Sequence, residues 1–190
     1  MYTQFVLLAL SLLPSTFSSP IEARACIGPD VNAATIALIK EFEGFVPSPE
    51  DDPIGLPTVG YGHLCQTAGC KEVPYPFPLT EAQATKLLLS DLKPAQQSIT
   101  LETADSVVLN ENQYGALVSW AFNMGSGAVA ESDLIRRMNA GEDEMKVIEE
   151  ELPLWVWAGG QKLPGLERRR AAEVRLAKTP TSKGALPVGC

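Results

Sequence analysis

The stretch from Phe45 to Pro78, "FVPSPEDDPIGLPTVGYGHLCQTAGCKEVPYPFP", constrains the fold more than any other part of the chain. Proline removes a backbone donor, and proline and glycine together punctuate helices. No long helix can run through this segment, and its short β-prone pieces predict small strands. On either side the pattern is helical. Before it, "DVNAATIALIKEFEG" offers Asp30 as N-cap and Gly44 as the stop. Ile36, Ile39 and Glu43 fall at i, i+3 and i+7, so Glu43 shares the apolar stripe. After it, "LTEAQATKLLLSDLKP" has Thr80 and Gln83 at capping-box spacing, with Pro94 as its far limit. "LNENQYGALVSWAFNMG" repeats the pattern with Asn110 and Gln113, an apolar face through Leu117, Trp120 or Ala121 and Met124, and Gly125 as its end. Shorter helices are expected around 132–139 and 142–152, and a last one over about 165–178. The fold class is α+β, predominantly α: a small β-containing lobe between an N-terminal helix and a larger helical lobe.

With 190 residues, 45% of them hydrophobic, the chain can build one domain with a sizeable core. The formal net charge of −8 leaves no basic face except Arg168-Arg169-Arg170, which argues against a nucleic-acid partner. The apolar run Phe5 to Leu13 is too short to span a bilayer and is followed by small and polar residues. Ala23-Arg24-Ala25 supplies a small-x-small cleavage site. We therefore expect a secretory signal over 1–25, a mature domain over 26–190 and an extracellular location, with no stable membrane association.

Cys26, Cys65, Cys70 and Cys190 form an even set suited to two disulfides, with three possible connectivities. Cys26 and Cys190 bracket the mature chain, and Cys65 and Cys70 share one short loop, which favours 26–190 and 65–70. Zinc ligation by His63 with these cysteines lacks an evident fourth ligand. No metal or organic cofactor is implied.

The chemistry concentrates between Glu43 and His63. Glu43 ends a helix, where the macrodipole disfavours an anion, and its place on the apolar stripe adds desolvation. Both effects oppose ionisation, as a general acid requires. Asp51 and Asp52 lie in a Pro/Gly loop, where a solvated carboxylate stays ionised and can serve as a base. In an extended "TVGYGHL", Thr58, Gly60 and Gly62 share one face, and bare glycine backbone beside a hydroxyl suits close approach of a ligand. His63, the only histidine, falls on the other face and reads as structural.

The spacing Glu43, Asp52, Thr58 within E-G-x(7)-D-x(5)-T-x-G-x-G-H resembles the phage-type lysozymes, close to their fungal secreted members. "NQYGALVSWAFNMGSGA" and "WVWAGGQKLPGLERRRAAE" extend the resemblance in family order over the mature chain. It implies a lysozyme-like fold with two lobes separated by a cleft, and hydrolysis of the β-1,4 bond between N-acetylmuramic acid and N-acetylglucosamine in peptidoglycan; a monomer is the default expectation. In this reading Glu43 protonates the leaving oxygen, and Asp52, rather than its neighbour Asp51, activates water that Thr58 helps to hold. The outcome would be inversion, which needs carboxylates roughly 6.5–9.5 Å apart. Asn123 and Gly60 would contact substrate, Arg168 would pair with Glu43, Trp155 would be a core residue, and Trp157 is available for sugar stacking. A lytic transglycosylase, a chitinase-like enzyme and a non-catalytic secreted module are the alternatives, and mildly acidic medium should favour lysis by so acidic a protein.

Overall fold

The structure, a computed structural model, describes residues 26–51 and 55–189. The expected signal segment, Asp52 and Cys190 lie outside the described residues. Helix α1 (Ala33–Glu43) begins at Asn32, whose side chain accepts from the Thr35 amide, so the cap is Asn32 and not Asp30. It stops at Gly44, whose φ of 73° is accessible to glycine at little cost. Strands β1 (Val46–Asp51), β2 (Pro57–Gly60) and β3 (His63–Leu64) follow as an antiparallel sheet in the order β1-β2-β3. Thr58 pairs with Glu50 on one side and Leu64 on the other.

Helix α2 (Glu81–Asp91) carries the expected Thr80/Gln83 capping box. Pro94 does not mark the end of helical structure there. It sits in the first turn of α3 (Lys93–Glu102), where its missing N–H has no helical partner to lose. A short β4 (Leu109–Asn110) leads into α4 (Glu111–Met124), which has the Asn110/Gln113 capping box and ends at Gly125. Then come α5 (Ser126–Ala130), α6 (Asp133–Asn139), α7 (Glu144–Glu151) and a 3-10 turn over Leu152–Leu154. A small hairpin of β5 (Trp157–Ala158) and β6 (Gln161–Lys162) precedes α8 (Pro164–Lys178), and β7 (Gly184–Leu186) pairs with β4. Among the described residues no helix is long and apolar enough to cross a membrane.

Helix α4 is the axis of the helical lobe, packing against α1, α3, α5 and α8. Tyr114, Leu117, Val118 and Trp120 are buried on it. A Cβ on Gly115 would stand 1.9 Å from Thr35 Oγ1, so glycine lets α1 and α4 approach closely at this crossing. The crossing fixes the direction in which α1 delivers its last residue, Glu43. Trp155 packs edge-on against the fully buried Trp120, with ring centroids 5.2 Å apart.

Candidate active site

Three distant parts of the sequence meet at the Glu43 carboxylate. Helix α1 supplies it, the β2–β3 turn backs it, and α8 supplies its charged partner. A Cβ on Gly62 would lie 3.0 Å from Glu43 Oε2, which puts the Gly62 backbone directly against the carboxylate. At the other carboxylate oxygen, Arg169 Nη1 donates to Glu43 Oε1 at 2.5 Å. The Arg169 guanidinium also lies 5.8 Å from the ring centroid of Phe42, the residue before Glu43. The Glu43 side chain keeps 21% of its surface exposed, so solvent and ligands reach it.

This geometry changes several sequence-based expectations. Glu43 is one half of an ion pair, not an isolated carboxyl in an apolar pocket. Its partner is Arg169, while Arg168 is exposed. The buried stripe of α8 runs through Arg169, Ala172, Glu173 and Leu176, and successive helical residues point about 100° apart, so Arg168 turns off the stripe. Gly60 does not face Glu43: a Cβ there would meet Leu87, Ala84 and Leu79, on and beside α2. Gly62 holds the position against Glu43 instead, because positive φ values at both Gly60 (71°) and Gly62 (79°) bend the chain and end the strand alternation.

Behind Glu43 lies a charged network that sequence reasoning did not anticipate. Glu173, fully buried, lies 2.7 Å from Arg170 Nε through Oε2. Its Oε1 accepts from the Ser119 hydroxyl at 2.7 Å, Arg170 Nη2 at 3.0 Å and Arg169 Nε at 3.4 Å. Arg170 Nη2 also donates to Asn123 Oδ1 at 3.0 Å, so Asn123 is tied to Arg170, with which it reaches the partly exposed end of α4. Burial pushes the Glu173 carboxyl up and the Arg170 guanidinium down, and their mutual attraction opposes both shifts. The Glu173 spacing to the two arginines, i+4 and i+3, is the signal that marks one helix face.

Thr58 lies on β2 and donates weakly to the Glu50 carbonyl at 3.4 Å. Asp51 ends β1, exposed and paired in register with Pro57. His63 is enclosed by two carboxylates, with Nδ1 3.0 Å from Asp91 and Nε2 3.5 Å from Glu72. It therefore fastens β3 to the end of α2 and to the loop beyond Cys70. Burial raises the Asp91 carboxyl, with His63 pulling against it. Cys65 and Cys70 form a disulfide, and Cys26 is disulfide-bonded as well. Glu72 completes a cluster with Cys65 and Cys70, but the bonded sulfurs are not thiolate ligands for a metal. Trp157 is 56% exposed on the β5–β6 hairpin, with Lys162 Nζ 5.6 Å from its ring centroid.

The chain also has relatives among known proteins. Residues 40–173 match the family model described as phage lysozyme. The chain is 32% identical over 160 residues to an endolysin of Bacillus phage PZA, covering 80% of this chain and 57% of the endolysin. It thus spans little more than half the length of that relative. The endolysin of Salmonella phage P22 is 31% identical over 140 residues, covering 74% of this chain and 92% of the phage protein. Among solved structures, the muramidase domain of SpmX from Asticaccaulis excentricus superposes with a TM-score of 0.65 at 32% identity, covering 79% of this chain and 98% of that one. A point mutant of P22 lysozyme gives 0.68 at 29% identity, covering 80% and 99%. A family match that spans Glu43, the glycine turn and α8 as far as Glu173 settles the assignment: the chain belongs to the phage lysozyme family.

Proposed function

We propose that the protein is a secreted muramidase that hydrolyses the β-1,4 bond between N-acetylmuramic acid and N-acetylglucosamine in peptidoglycan. The observation that carries this reading is the Glu43 carboxylate, partly open to solvent and gripped between Gly62 and Arg169. Glu43 donates its proton to the leaving glycosidic oxygen. Asp52, the next residue in sequence after Asp51, activates the attacking water, and the Thr58 hydroxyl on β2 helps to hold it. Inversion follows if the water attacks from the face opposite Glu43. Asn123, its carbonyl engaged by Arg170, keeps its amide N–H groups for the acetamido carbonyl of a sugar. The chain acts as a monomer outside the cell, its first 25 residues serving for export.

The test is digestion of purified peptidoglycan by the parent, Glu43→Gln, Asp52→Asn and Asp51→Asn, with products resolved by mass spectrometry and anomer identified. Incorporation of water at the reducing end, loss of activity in the Glu43 and Asp52 variants and retention in the Asp51 variant are expected. Anhydro products would replace this reading by a transglycosylase, and a fully active Glu43→Gln would remove it.

A further inference from the structure

The buried ionic network on α8 carries an inference that rests on the reading of Glu43 as the proton donor. We propose that Glu173 is a positioning residue, whose carboxylate sets both Arg169 against Glu43 and Arg170 against Asn123. The argument begins with burial. A carboxylate shielded from water is retained at large cost unless it is paired and hydrogen-bonded, and Glu173 is fully buried. Its partners reach in opposite directions. Arg169 bridges from Glu173 to Glu43, and Arg170 bridges from Glu173 to Asn123. One carboxylate therefore branches toward two groups on different helices, α1 and α4.

Charge supports the same reading. Glu43 and Glu173 supply two negative charges, Arg169 and Arg170 two positive ones, and the set is neutral. Arg169 is held at both ends: Nη1 on Glu43, Nε on Glu173, with Nη2 3.4 Å from the Ser119 carbonyl. A guanidinium is a rigid planar fork, so anchoring its Nε edge at Glu173 also aims its far edge. Without that anchor Arg169 keeps its attraction for Glu43 but loses its fixed direction. The carboxyl of Glu43 would then sit in several orientations instead of one, and near-attack geometry would be populated less often. Glu173 itself touches no substrate. Its effect runs entirely through the arginines.

The experiment measures melting temperature together with kcat and KM for release of reducing ends from soluble peptidoglycan strands. The parent and Glu43→Gln are run alongside; an active Glu43→Gln overturns the proposed function itself and is read separately. Glu173→Gln should lower kcat by about 10–100-fold with KM within about twofold, the scale of a small misplacement at a reacting group. A charge-balanced pair keeps the proposal falsifiable even if Glu173→Gln fails to fold. Arg170→Met leaves the set with one excess negative charge, and adding Glu173→Met restores neutrality with an apolar pair of similar volume. Relative to Arg170→Met, the double variant should melt higher yet turn over about tenfold more slowly. Stability and turnover moving in opposite directions is the signature of positioning. If turnover recovers along with stability, or Glu173→Gln keeps parental kcat, Glu173 only balances charge and the proposal is wrong.

Discussion

Replacing Gly62 by alanine puts a methyl carbon 3.0 Å from Glu43 Oε2, 3.4 Å from its Cδ and 3.5 Å from its Cγ. Comfortable contact between non-bonded heavy atoms begins at about 3.5 Å, so the carboxylate must retreat by about 0.5 Å. It cannot retreat freely, because Arg169 holds the other oxygen, Oε1, at 2.5 Å. A misplacement of about 1 Å at a catalytic group can cost about 100-fold, so half of that is worth about tenfold in kcat. The substitution also carries a backbone penalty. Gly62 has φ of 79°, and a Cβ in the left-handed region costs about 1–2 kcal/mol. Gly69 separates the two effects: its φ is 73°, but a Cβ there meets nothing within 4 Å. Gly69→Ala should therefore lose comparable stability and keep its turnover. The assay is kcat on soluble peptidoglycan strands at a temperature where both variants are fully folded by circular dichroism. If Gly62→Ala turns over as fast as Gly69→Ala, the backbone is not a wall for the Glu43 carboxylate, and the site geometry argued here is wrong.

Gly115→Ala adds helix propensity, which alone would stabilise by about 1 kcal/mol, yet its Cβ would overlap Thr35 Oγ1. Overpacking of about 1–3 kcal/mol should win, giving a lower midpoint in urea, and a higher midpoint would refute the close α1–α4 crossing. Arg137 bridges Glu142, Glu150 and Glu151, and its side chain holds the Glu142 carboxyl below its ordinary value of 4.5. A depressed carboxylate contributes stability that is present above its unfolded value and lost as pH falls through its folded one. Arg137→Met should thus flatten the decline in melting temperature below pH 4.5, and an unchanged acid limb would count against the bridge. Trp157→Ala removes an exposed ring suited to sugar stacking, worth about 1 kcal/mol. KM for long glycan strands should rise about fivefold with kcat unchanged, and an unaltered KM would dissociate this ring from substrate.

Local signals were legible wherever a short motif carries its own physics. Both capping boxes and the Gly44 and Gly125 stops follow from a few adjacent residues. Errors arose where the answer depends on the phase of an element. "RRR" places three identical charges at steps of about 100°, and nothing in the triplet says which of them turn inward. The phase comes from farther along α8, where Ala172, Glu173 and Leu176 mark the buried stripe and put Arg169 on it. The exchange of Gly60 for Gly62 has a similar origin. Alternation holds only within a strand, and β2 ends at Gly60, where left-handed glycines on either side of Tyr61 turn the chain. Helix α3 is hidden because proline reads as a terminator, although it is equally at home in a first turn. The ionic network was hidden for a different reason: buried charge reads as surface charge until its partners are seen together.

The ion pair at Glu43 looks at odds with its proposed role as proton donor, and the resolution lies in how the pair is built. A general acid must hold its proton when substrate is bound and release it as the leaving group departs. In the resting site, Glu43 accepts from a guanidinium whose own position is fixed by a second carboxylate behind it. Arg169 is thus not a free counter-ion that collapses onto Glu43 wherever it goes. It is anchored, so a shift of the Glu43 side chain toward substrate lengthens the pair while Arg169 stays with Glu173. In the proposed reaction, a sugar entering beside the exposed part of Glu43 displaces water from the carboxylate. Departure of the leaving group then leaves a carboxylate next to a cation already in place, with no reorganisation needed to stabilise it. In the proposed reaction the anchored Arg169 therefore receives the charge of the carboxylate at the end of the proton transfer, which is why its anchoring matters more to turnover than the strength of the pair.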